Sequence, residues 1–191
     1  MPRPRQYNED EVLVSAMRFF WEHGYGATTR ELAEAMGINQ YSVYASFESK
    51  ADLFARCLDH YVDMVEVSVL LPLMSEQAAM PELRRFLESF VHTKQLDVPN
   101  GCLICNTMIE QAGHAKPVLR TIQRYRELVS ERFARALGNS FPSMPDSVTH
   151  ARTEFLYAAL MGLFVQKKMG IEGAPIQTLV DEVMAAVQRD Y

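Results

Sequence analysis

Cysteine is scarce in this chain. There are three, an odd number with no disulfide-scaffold spacing. That excludes a small secreted fold held by bridges and fits a reducing cytoplasm. Long apolar runs are also missing. The longest, Phe155 to Val165, falls short of the roughly 18 residues a bilayer span takes, so no membrane partner is expected. Positive charge is not in excess: the net charge is −5, which argues against a general polyanion binder. The stretch MPRPRQYNEDE has no apolar segment of the signal-peptide kind, so the expected location is the cytoplasm. No repeat, low-complexity tract or alternating strand pattern appears. What remains is a chain of 191 residues, 48% hydrophobic, long enough for one or two domains with a sizeable core. Its apolar periodicity is helical throughout, and the fold class is all-α.

The most informative stretch is TTRELAEAMGINQYSVYASFESK, Thr28 to Lys50. Thr28 or Thr29 can cap a helix, and Glu31 stands three residues after Thr28, as a capping box requires. Leu32, Ala33 and Met36 have helical spacing. Gly37 suits a helix C-terminus because it accepts a left-handed backbone. Ile38 is an apolar plug, and Asn39 can cap a second short helix from about Gln40 to Ser46. Val43 and Phe47 point to a core, leaving Gln40, Tyr41, Ser42 and Tyr44 outward. Two short helices joined by a glycine turn make a helix-turn-helix, whose second helix enters the major groove N-terminal residues first.

The segment ATTRELAEAMGINQYSVYASFESKADLF resembles the DNA-binding segment of TetR-family transcriptional repressors. The shared residues are Thr28, Thr29, Leu32, Ala33, Gly37, Ile38, Val43, Tyr44, Phe47, Lys50 and Leu53, over about a quarter of the chain. Ala45 and Ser46 depart from it, standing where many members place an aromatic residue and a phosphate-touching His. The resemblance implies a homodimer, a near-palindromic double-stranded DNA operator and a small-molecule effector. Gln40, Tyr41 and Ser42 would then read bases, while Thr28, Thr29, Tyr44 and Lys50 would hold phosphates, which position without specifying.

Around this stretch the chain divides at about residue 50, with a DNA-binding domain at 1–50 (motif about 29–48) and a ligand-binding and dimerisation domain at 51–191. Arg3 and Arg5 lie in an N-terminal arm. Val12, Leu13, Ala16, Phe19 and Phe20 mark a supporting helix closed near Gly24 and Gly26. A long helix from Lys50 carries Leu53, Phe54, Cys57, Leu58, Tyr61, Met64 and Val65, and Pro72 ends it near Leu71. Five further helices follow. One opens at Pro81, one spans Cys102 to Ala112, one runs from Lys116 to Leu137 with Val118, Leu119, Ile122 and Tyr125 inward, one spans Asp146 to Met169, and one opens at Pro175.

Two constellations lie downstream. GCLICNTMIEQA resembles a pocket-lining helix of a subset of TetR-family ligand-binding domains. Cys102 and Cys105 share a face there, as buried hydrophobes, as a reactive thiol near Lys116 or Arg120, or as two of four metal ligands with His92 and His114. No metal or cofactor is expected, because the histidine spacing is not diagnostic. Tyr61, Met64, Phe90, Cys102, Cys105, Asn106 and Tyr125 are the candidate ligand-binding residues. Asn106 and Glu110 share a helix face, and both could orient a polar ligand. Phe155 to Val165 is apolar all round, so it must be covered on all sides. Phe155, Ala158, Ala159, Gly162 and Val183 are the candidate dimer interface, in a four-helix arrangement.

The expected function is a ligand-responsive, sequence-specific DNA-binding repressor with no enzymatic activity. The alternative is an all-α thiol oxidoreductase using Cys102 and Cys105, but Ile109 stands where such an enzyme carries a His. One feature cuts against DNA binding: residues 1–60 hold six Lys/Arg against nine Asp/Glu. Glu9, Asp10, Glu11, Glu22 and Asp59 lie outside the motif and can face away, whereas Glu31 and Glu34 are closer.

Overall fold

The computed structural model describes residues 8–41, 43, 47–91, 99–110 and 115–189. Among these are eight α-helices and no strand, as the periodicity predicts. They are α1 (Glu9–His23), α2 (Thr29–Ala35), α3 (Lys50–Val67), α4 (Met80–Glu88), α5 (Leu103–Glu110), α6 (Lys116–Ser140), α7 (Asp146–Lys168) and α8 (Ala174–Gln188). Gln40, Tyr41 and Val43 are helical as well. The arm with Arg3 and Arg5, Ser42, Tyr44, Ala45, Ser46, His92, Gly113 and His114 lie outside the described residues.

Short-range chemistry sets most helix starts. Asn8 and Ser49 each accept a backbone N–H with the side chain, at 3.0 and 3.1 Å, and so cap α1 and α3. Pro81, Pro117 and Pro175 occupy the first turns of α4, α6 and α8, where no N–H donor is needed. α3 stops at Val67, one turn earlier than Pro72 suggests, and Pro72 sits in a 3-10 turn at Leu71–Leu73. α6 runs through Gly138 and Asn139, which read as a stop. The Asn139 amide donates to the Glu76 and Ala78 carbonyls at 2.8 Å each, and the Ser140 hydroxyl accepts from Met80 N–H at 2.8 Å. These contacts offset the roughly 1 kcal/mol cost of a helical glycine. Leu119, expected inward, is exposed, because the buried face of α6 begins with Val118 and Thr121.

One core runs through the described residues. α1 packs on α3, α3 on α6, α6 on α7 and α7 on α8. Asp59, Asp63 and Glu66 along α3 meet Thr121, Arg124 and Arg132 along α6, aligning the two helices. Each exposed pair adds little stability. The register is held mainly by burial of Leu58, Val62, Val129 and Phe133. Cys57 is core, with its thiol donating to the Leu13 carbonyl at 3.8 Å.

Candidate DNA-reading unit and effector cavity

The start of α2 has the predicted capping box. Thr28 Oγ1 accepts from Glu31 N–H at 3.3 Å, and the Glu31 carboxylate accepts from Thr28 N–H at 2.7 Å and from its hydroxyl at 2.6 Å. Those Thr28 hydrogen bonds hold the Glu31 carboxyl below the usual range. The Thr28 hydroxyl is thus engaged in the cap. Glu31 is turned back onto the helix end, and Glu34 pairs with Arg30 at 3.0 Å. The other end of α2 is a Schellman motif. Ile38 N–H donates to Ala33 O and Gly37 N–H to Glu34 O, both at 3.1 Å, with Gly37 at φ 65°. This turn aims the following segment outward. Val43 and Phe47 are buried, while Gln40 is exposed and Tyr41 is 83% exposed. A large aromatic side chain so open to solvent is suited to meeting a partner. Thr29 is half-buried. The Lys50 ammonium donates to the Ala27 carbonyl and lies 4.6 Å above the Tyr25 ring, so it braces the loop before α2.

Among the contacts that join this unit to the rest of the chain, three run to α5, α7 and α3. The Glu110 carboxylate at the end of α5 accepts from Tyr25 N–H at 2.9 Å. Lys168 at the end of α7 donates to the Trp21 carbonyl at 3.5 Å. The Trp21 indole packs edge-on against the Tyr61 ring of α3, centroids 4.9 Å apart.

Beside these contacts is a cavity of about 90 Å³ between α1, α3, α4, α6 and α7. Of the candidate ligand residues, Tyr61, Phe90 and Tyr125 line it. Met64, Cys102, Cys105 and Asn106 do not. Gly101 and Asn100, just before α5, stand on its wall in place of the cysteines. Cys102 is buried behind Tyr125, its thiol donating to the phenol oxygen at 3.8 Å. Glu110, read with Asn106 as a ligand-orienting pair, is instead the contact to Tyr25. Among the lining residues that periodicity missed are Trp21, Phe164 and Lys167. No sequence signal marks Lys167, which reads as an ordinary cation in a last helical turn.

The thiols sit in the wrong surroundings for nucleophiles. Burial pushes Cys102 up, and pushes Cys105 up to about 11. Hydrogen bonds from Tyr61 and from backbone N–H groups at the start of α5 pull the Cys102 value down, but desolvation outweighs them. Since the thiolate is the reactive form, iodoacetamide at pH 8 should label Cys105 on the order of 100-fold more slowly than an exposed thiol. Equal labelling rates in native and denatured protein would contradict this. Among the described residues no group of His, Cys, Asp and Glu is placed to hold a metal.

Residues 12–57 match the family model described as bacterial regulatory proteins, tetR family. The transcriptional repressor ComR of Escherichia coli (strain K12) is 29% identical over 188 residues, covering 93% of this chain and 86% of ComR. A cysteine mutant of the TetR-family regulator CifR, solved with 26-bp double-strand operator DNA, superposes with a TM-score of 0.82 at 28% identity, over 97% of this chain and 99% of that one. Residues 12–57 thus form a DNA-binding domain of the TetR-family kind, and the chain is similar over nearly its whole length to TetR-family regulators. The reduced form of Escherichia coli NemR, at 16% identity and a TM-score of 0.76, shares the fold.

Among the described residues α7 carries a long uncovered apolar stripe. On α7, Leu156, Leu160, Leu163 and Phe164 are buried, whereas Phe155 (45% exposed), Ala158, Gly162, Val165 and Met169 lie in an exposed row and Ala159 is half-buried. Val183 is corrected: it is only 3% exposed, on the face of α8 turned into its own subunit, so a partner cannot reach it. Among the described residues no helix is long and apolar enough to cross a membrane.

Proposed function

We propose that this chain is a cytoplasmic, homodimeric TetR-family repressor that binds a near-palindromic operator and releases it when a small molecule enters the cavity beside Trp21 and Tyr61. The observation that carries the reading is the shared wall: Tyr61 belongs to α3, which starts at the motif, and Trp21 to α1, which supports it. A ligand there touches both elements on which the recognition segment stands. Release needs only that the ligand prefer a state in which the two reading units are displaced from half-site spacing. Residues 1–50 act as the reading domain and 51–191 as the sensing and dimerising one. Gln40, Tyr41 and Ser42 read bases; Thr28, Thr29, Tyr44 and Lys50 position the motif on the backbone. Phe155, Ala158, Ala159 and Gly162 face the second copy.

Operator binding by fluorescence anisotropy tests the assignment. Tyr41→Ala should change which sequences bind, because its side chain meets bases. Lys50→Ala should weaken all sequences alike. Sequence-independent losses for both would remove Tyr41 from base readout.

A further inference from the structure

The cavity's chemistry selects among ligands. Its walls are mostly aromatic: Phe86, Phe90 and Phe164 form an edge-to-face set with centroids 5.3 Å apart at each Phe90 contact, and Tyr61 and Tyr125 complete it. Two of its polar groups, the Trp21 indole N–H and the Lys167 ammonium, can only donate. Trp21 is 5% exposed, and its indole N–H has no acceptor among the described residues. An indole nitrogen can only donate, and a buried donor without an acceptor is costly. Lys167 is 3% exposed and is the one charged side chain on the wall. Its ammonium has three donors, and it meets the Glu172 carboxylate at a long 3.4 Å. A buried charge gains from a close counter-charge. Glu172 itself does not line the cavity. Size sets the remaining limit. Cavities of about 150 Å³ hold benzene, so about 90 Å³ admits a body smaller than a benzene ring, of a few carbons.

We propose that the effector is a small organic monocarboxylate, its apolar body held by the aromatic walls and its carboxylate taking the Trp21 indole N–H and the Lys167 ammonium. The inference rests on the reading of this cavity as the effector site. It adds a class of ligand and two residues that act on it. Trp21 also links the ligand to the motif, since its carbonyl accepts from Lys168 and its ring packs on Tyr61.

The experiment uses the full-length dimer and the single tryptophan of the chain, whose emission reports on this wall. Propionate, propionamide and butanone, close in shape and small enough for the cavity, are titrated, and operator release is followed in the same samples. Propionate should change Trp21 emission saturably and bind at least about tenfold tighter than propionamide, a gap of about 1.4 kcal/mol. Butanone should be weaker still. Lys167→Met should erase the difference between propionate and propionamide, and Lys167→Arg should keep it. Trp21→Phe, followed by calorimetry, should weaken propionate more than butanone. Equal affinity of the parent protein for propionate and propionamide overturns the proposal without any variant. So does the absence of a saturable response to millimolar propionate in a protein that binds its operator. Propionate binding that leaves the operator fully bound supports the ligand chemistry and overturns the cavity's regulatory role, so the two failures are distinguishable.

Discussion

Gly162→Arg is expected to leave the subunit folded and to cost two or more orders of magnitude in operator affinity. Gly162 is exposed in the middle of the apolar row on α7, and a Cβ there meets nothing within 4 Å. Replacing a helical glycine should even favour the isolated helix by several tenths of a kcal/mol. The effect therefore falls on whatever packs against the row. Five residues at helical spacing, Phe155, Ala158, Gly162, Val165 and Met169, form a surface that a second α7 can cover closely. An arginine there brings a like charge from each copy to the two-fold axis. Two linked reading units gain about 10²- to 10⁴-fold over one through effective concentration, and this gain disappears with the dimer. Sedimentation should show a monomer, thermal melting should remain cooperative, and anisotropy should show the loss. A Gly162→Arg dimer with parental operator affinity would place the interface elsewhere.

Glu110→Ala is expected to uncouple the cavity from the motif. The Glu110 carboxylate accepts from Tyr25 N–H, 85 residues away in sequence, and closes over Gly24. Gly24 has φ 75° and ψ 179°, a backbone region almost reserved for glycine, and a Cβ there would come within 2.5 Å of Glu110 Oε1. Helix α5, which starts at the cavity wall, therefore ends on the loop that leads into α2. Coupling between two sites is commonly worth about 1–3 kcal/mol, and losing one of its contacts should raise the effector dose for half-release about tenfold. Effector affinity without DNA should not change, because Glu110 does not line the cavity. Gly24→Ala should act in the same direction, with an added loss of stability of about 1–3 kcal/mol from backbone strain. A Glu110→Ala dose response identical to the parent's would reduce the contact to a surface hydrogen bond.

The parts of the molecule legible in the sequence are those governed by near neighbours. The Thr28 and Glu31 box, the Gly37 turn and the prolines in first helical turns each act over three to five residues, and each stands where the spacing places it. The family resemblance adds the arrangement of these parts. The cavity is a different case. Trp21, Tyr61 and Lys167 come from three helices and Phe90 from the turn after a fourth, spread over most of the chain, and no local period links them. Cys102 and Cys105 are chemically distinctive residues, yet burial pushes both thiols up and away from the thiolate form, and the less distinctive Gly101 forms the wall. Val183 shows the limit of an apolar stripe: periodicity identifies a buried face but not whether its own subunit or a second copy covers it.

Selection of bound DNA from a random pool, with the purified full-length protein, tests the central claim most directly. A dimer with one reading unit per subunit should enrich a near-palindrome with half-sites about one helical turn apart or a multiple of that, bound by an even number of subunits. Enrichment of a single asymmetric half-site bound by a monomer, or no enrichment over the starting pool, would contradict it.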